Sequence, residues 1–175
     1  MRIPSSRNPR LTSSLNPKLT SSLNPRLTSS LNPRLTSSRN PKLTSSLNPR
    51  LTSSINPKLT SSLNYKLTSS KNPRLTSSLN PNLTSSLNPN LTSDVDGFYL
   101  FDTEGTPIGF TVQQSESFWL LFTPDCKFVG VAVRVRADHF AAFDLDNEPS
   151  GFFVHARDGI WVRFDDANEW IGYTS

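Results

Sequence analysis

Phe98-Tyr99-Leu100-Phe101-Asp102-Thr103-Glu104-Gly105-Thr106-Pro107-Ile108-Gly109-Phe110-Thr111-Val112 is two alternating apolar runs around a polar turn. Alternation with period two, broken by turn residues, predicts a β-hairpin. The same pattern returns every 21 residues. Phe101, Phe122, Phe143 and Phe164 align, as do Gly109, Gly130, Gly151 and Gly172, and Phe98, Trp119, Phe140 and Trp161. Four hairpins are therefore expected at 98–113, 118–134, 139–155 and 160–175.

The turns carry their own chemistry. Gly105, Asn147 and Asn168 fall where a three-residue loop needs a positive φ, and Cys126 departs from that rule. Asp102, Asp144 and Asp165 open three of the turns. An Asx-type bond to the turn backbone is their expected role. A calcium loop is weaker, because Asp144-Leu145-Asp146-Asn147-Glu148 lacks the glycine and distal Glu of an EF-hand. The reading pairs each repeated Phe with the repeated Gly across its own hairpin, leaving the ring over a residue without a side chain.

Period-two bookkeeping then puts Phe98, Leu100, Ile108, Phe110 and Val112 on one face. Trp119, Leu121, Val129, Val131 and Val133 follow, then Phe140, Phe152 and Val154, then Trp161, Ile171 and Tyr173. That face is the expected core, complete within 96–175, with the four Phe on the other face. Four such hairpins should close around a pseudo-four-fold axis.

The residues before 94 are unrelated to these. Leu11-Thr12-Ser13-Ser14-Leu15-Asn16-Pro17-Lys18 recurs every eight residues to Asn90, with Asn64-Tyr65 breaking the Asn-Pro rule. Asp94-Val95-Asp96-Gly97 joins the two parts. Domains are placed at 1–93, a basic octapeptide array, and 98–175, the hairpin domain, with 94–97 as junction. Residues 1–93 hold 13 Lys and Arg and no acid, whereas 94–175 hold 5 against 14 Asp and Glu. The formal charges are +13 and −9.

Proline at every eighth residue excludes a helix. A period of four in an extended chain keeps every Leu on one face. The fold class expected is all-β: a β-solenoid-like or extended array, then the four-hairpin domain. The residue before each Asn is Arg7, Arg39 and Lys71 in three copies spaced 32 apart and otherwise apolar. Folding the chain at 16 residues per four-sided rung places these three in one column. An inward Arg is costly unless paired, so an ordered coil and a flexible tether both fit the pattern.

The hairpin segment, about 96–175, resembles the four-fold beta-flower domain of bacterial proteins. The resemblance rests on the 21-residue period, Phe-Asp at the start of the turn, and Ile-Gly-Phe or Ile-Gly-Tyr after it. Thr123 departs from the repeated Asp. Tetrapeptide arrays rich in Asn ahead of such domains are similar to residues 1–93. The resemblance implies a fold; it brings no activity and no functional residues.

Chemistry is sparse. With Phe143 opposite Gly151, His139 would face His155 across the hairpin. Two imidazoles beside Asp138 or Asp158 are candidate metal ligands or a pH sensor, although spacing supplies no third ligand. An exposed cross-strand pair is the plainer expectation. Lone Cys126 has no base partner and no disulfide partner. No phosphate loop, nucleophile elbow or metal quartet is present, so no catalytic residue, cofactor or small-molecule substrate is expected. Phe101, Phe122, Phe143, Phe164, Gly109, Gly130, Gly151, Gly172, Trp119 and Trp161 are structural.

The chain reads as a non-enzymatic structural protein that self-associates, a repeat rod capped by a β domain. The alternative is a binding module whose Lys and Arg engage nucleic acid or another anionic polymer. Neither a secretory leader nor a membrane-spanning run is readable, which makes cytoplasm the default expectation.

Overall fold

Polar turns bounded by alternating apolar runs produce eight strands in the computed structural model, which describes residues 13–64, 69–92 and 95–175. They are β1 (Tyr99–Asp102), β2 (Pro107–Ser115), β3 (Phe118–Phe122), β4 (Phe128–Arg136), β5 (His139–Asp144), β6 (Pro149–Arg157), β7 (Ile160–Phe164) and β8 (Trp170–Thr174). Each pairs antiparallel with its sequence neighbour, and β1 pairs with β8, so the sheet is a closed barrel without a free edge. Closure satisfies every edge amide that an open sheet would leave to solvent.

The turn expectations hold, and Cys126 joins them. Its φ is 64°, beside 77° at Gly105, 68° at Asn147 and 65° at Asn168. Asp102 Oδ1 accepts the Glu104 and Thr106 amides at 2.9 and 2.8 Å. Asp144 and Asp165 do the same in their turns. Thr123 substitutes for the carboxylate: its hydroxyl accepts the Lys127 amide at 3.1 Å and donates to Asp125 at 2.5 Å.

The strand register corrects the face assignment. Phe101 lies opposite Pro107 rather than Gly109, and Gly109 lies opposite Leu100. A bulge between Leu100 and Phe101 absorbs one residue, and each of the other hairpins bulges at the equivalent place. One extra residue reverses which side chains face inward on the returning strand. Phe98, Leu100, Trp119, Leu121, Phe140 and Trp161 do line the barrel interior, with Ala132, Ala142 and Phe153. Phe110, Val112, Val131, Val133, Phe152, Val154 and Tyr173 instead lie on the outer face with Phe101, Phe122, Phe143 and Phe164. Ile108 and Val129, also expected in the core, are exposed.

The repeated Phe therefore packs between hairpins. Phe122 stacks on Phe110 at 5.3 Å, Phe164 on Phe152 at 5.2 Å, and Phe101 on Tyr173 at 5.4 Å. The repeated glycines admit the neighbouring hairpin's backbone. A Cβ at Gly109, Gly130, Gly151 or Gly172 would lie 2.2–2.3 Å from the carbonyl oxygen of Phe122, Phe143, Phe164 or Phe101 respectively.

An apolar outer face must be covered, and the array covers it. Leu31 and Leu47 pack with Phe152, Val154 and Phe164, while Leu79, Leu87 and Val95 pack with Phe101, Phe110 and Phe122. The core is thus shared between the two segments and is not complete within 96–175. Among the described residues of the array there is no β-strand. Ser-Ser-Leu forms short 3-10 helices such as Ser45–Leu47, alternating with turns at Asn-Pro. The Thr hydroxyl of an octad donates to a Ser carbonyl seven residues back, as from Thr44 to Ser37 at 2.6 Å and from Thr52 to Ser45 at 2.6 Å. Asn Oδ1 accepts the amide two residues on, as at Asn48 and Arg50. Arg7, Leu11, Thr12, Tyr65 and Asp94 lie outside the described residues.

Alternating turn types put leucines four apart on opposite sides, not on one face. The Leu before Asn faces the barrel: Leu31 is 2 % exposed and Leu47 4 %. Among the described residues the Leu two positions after Pro faces outward, as at Leu35 and Leu83.

Candidate functional site

The array passes all four hairpin turns. Arg26 pairs with Glu104 in the β1–β2 turn, and Lys42 with Glu169 in the β7–β8 turn. Asn168 Nδ2 donates to Asn48 Oδ1 in that second turn at 3.3 Å. Arg74 meets Asp146 of the β5–β6 turn at 3.7 Å, and Asn90 donates to Cys126 O of the β3–β4 turn at 3.4 Å. The Asn-Pro side of each octad therefore lies along the acidic turns. The Ser-Ser side lies toward the other end, where Arg157 and Arg136 donate to the carbonyls of Ser22 and Ser46 at 2.5 and 3.0 Å. From turn to turn the array encircles the barrel.

Among the described residues this arrangement pairs three array cations, Arg26, Lys42 and Arg74, with acids of the barrel. Arg34 also lies over the Trp170 ring at 5.6 Å. The ion pairs are solvent-exposed, so each contributes at most about 1 kcal/mol. Their effect is on register and orientation more than on stability.

The outward side chains are the Ser pairs, most Lys and Arg, and a set of leucines. Leu19, Leu27, Leu35, Leu43, Leu51, Leu59, Leu75, Leu83 and Leu91 are each 62–71 % exposed. They recur at eight-residue spacing, with exposed Ser and Lys or Arg side chains between them, as Ser37, Ser38 and Lys42 lie between Leu35 and Leu43. Period four in an extended chain puts every Leu on the inside, so the pattern alone does not reveal these leucines. The outward position of every second Leu is signalled only by the Pro two residues before it, as at Pro33 and Leu35 or Pro81 and Leu83.

The histidines do not form a pair. His139 lies opposite Val154, and His155 opposite Trp161. The bulge again accounts for the slip. His139 is fully buried on the outer face, stacked on Phe152 at 5.0 Å. Burial, with Arg136 nearby, pushes its pKa down to about 4. His155 packs edge-on to Trp161 at 4.9 Å. No group of three His, Cys, Asp or Glu side chains among the described residues is placed to hold a metal. Oδ1 of each of Asp102, Asp144 and Asp165 accepts two backbone amides of its own turn. Cys126 is a buried free thiol in the core.

Inside the barrel Trp119 stacks on Phe140 at 3.9 Å and meets Trp161 and Phe153 edge-on at 5.3 and 5.8 Å. Arg163 shares this interior, over the Phe153 ring at 5.7 Å, and burial lowers its pKa. This aromatic filling makes the lumen a core, not a ligand chamber.

No helix among the described residues is long and apolar enough to cross a membrane. No family model, curated protein or solved structure matches the chain.

Proposed function

We propose that the chain is a non-enzymatic structural protein that self-associates through its leucine belt. The observation that supports this is the row of nine outward leucines, repeated every eight residues around the barrel. A second copy carries the same row at the same pitch, so its leucines can match in register where an unrelated surface would not. Only the leucines on one side of the belt can meet a given neighbour, so each contact is small and several are needed for a stable assembly. Because the belt runs around the molecule, contacts on several sides are open to it. That favours growth into a layer or fibre over a closed dimer.

The array reads here as an octad coil, solenoid-like, laid around four 21-residue hairpins with pseudo-four-fold symmetry. The four equivalent bulges and glycine contacts support that symmetry, in keeping with the resemblance to the beta-flower domain. Oppositely charged surfaces are already joined within one chain, so assembly should rest on apolar contact and survive high salt.

Sedimentation of the full chain over a concentration series tests the reading. Assembly that persists in 0.5 M salt is expected, and a Leu35→Ser, Leu43→Ser, Leu51→Ser variant should shift it to much higher concentration. A chain that stays monomeric throughout overturns it. If that monomer is also retained on DNA at low salt, the Lys and Arg serve an anionic polymer instead.

A further inference from the structure

The array column that faces the barrel is apolar except for its cations, and an inward cation needs acceptors. Arg39 has two, the carbonyl oxygens of Ser30 and Ala156. Lys71 is placed differently. It lines a cavity of about 270 Å³ between the array and the β2–β3 end of the barrel. Arg134 lines the same cavity. Its Nη2 donates to Ala137 O at 2.8 Å and its guanidinium lies 5.9 Å from the Phe140 ring centre. Its Nε is buried without a hydrogen-bond partner among the described residues. Ser70, Ser115, Ser117 and Gln114 supply the other polar groups, and no carboxylate among the described residues lines the space.

Two cations beside one half-open space repel each other, and an anion between them reverses the sign of the interaction. The hydroxyls and the Gln114 amide can donate to several oxygens at once. Arg offers a planar fork and Lys a mobile point charge, a combination suited to an oxyanion. At about 30 Å³ per water, the volume admits such an ion with part of its hydration.

We propose that this cavity binds a tetrahedral oxyanion of the phosphate or sulfate class, free or as the head of a small monoester. The ligand would tie the array to the barrel at Lys71, so binding should be visible as stabilisation.

Thermal unfolding of the full chain, with phosphate replacing chloride at constant ionic strength, tests this. The expected result is a rise of about 5 °C at a hundredfold excess over the apparent Kd. Lys71→Leu restores the usual repeat residue. It should keep its melting temperature in chloride and bind phosphate at least about tenfold more weakly. Arg39→Leu, outside the cavity, should respond as the wild type does. A larger rise with glycerol phosphate than with inorganic phosphate assigns the monoester; the reverse assigns the free ion. Equal stabilisation by chloride and phosphate, or a full response in Lys71→Leu, overturns the proposal. Should that variant misfold, phosphorus NMR decides on the wild type: absence of phosphate line broadening by the protein overturns it equally.

Discussion

Gly109 lies directly beneath the carbonyl oxygen of Phe122, so closely that a Cβ on Gly109 would sit 2.3 Å away. The contact joins the first hairpin to the second, and it recurs at every hairpin boundary. Gly109→Ala must therefore push backbone, which cannot swing aside as a side chain can. Overpacking of this kind costs about 1–3 kcal/mol. Urea unfolding should show that loss at Gly109 and at least as much at Gly151, whose φ of 139° adds strain. An unchanged midpoint at both would mean that the hairpins are not in this close contact.

Trp119 is the hub of the barrel interior. It is 2 % exposed and meets Phe98, Phe140, Phe153 and Trp161. Trp119→Ala should cost roughly 3–5 kcal/mol, with Trp161→Ala comparable, because neither cavity can collapse inside a closed sheet. Equilibrium denaturation reads both. A loss below about 1 kcal/mol at each would place these rings outside the barrel.

Leu31 and Leu35 are the same residue four positions apart, 2 % and 71 % exposed. Leu31→Ala should destabilise the chain by about 2–5 kcal/mol. Leu35→Ala should change it by less than about 0.5 kcal/mol. Equal effects would mean that the array does not dock as described.

His139 makes stability depend on pH. Its folded pKa of about 4 lies below the ordinary 6.5 because burial disfavours the imidazolium. Between these values the unfolded chain binds the proton and the folded chain does not. Stability is thus highest above pH 6.5 and falls as pH drops toward 4, by about 3 kcal/mol in all. His139→Phe should flatten that segment of the profile. The loss from Asp125 and Asp138 would remain, since their folded pKa values are lowered and they act at more acid pH.

Local chemistry was legible in the sequence: the 21-residue hairpins, the Asp-led turns, the positive φ at Gly105, Asn147 and Asn168, and the eight-residue array. Each depends on residues close together in the chain, where spacing alone fixes who can meet. Two features were decided only by tertiary structure. The bulge at Leu100 and Phe101 moved the register by one residue, and with it Phe110, Val112, Phe152 and Val154 turned from the interior to the outside. The docked array then selected Leu31 and left Leu35 in water, although the two occupy similar Leu positions in the chain. Lys71 and Arg134, 63 residues apart, share a cavity for the same reason. A side chain's face depends on what lies opposite it, and the opposite surface here is a distant part of the chain.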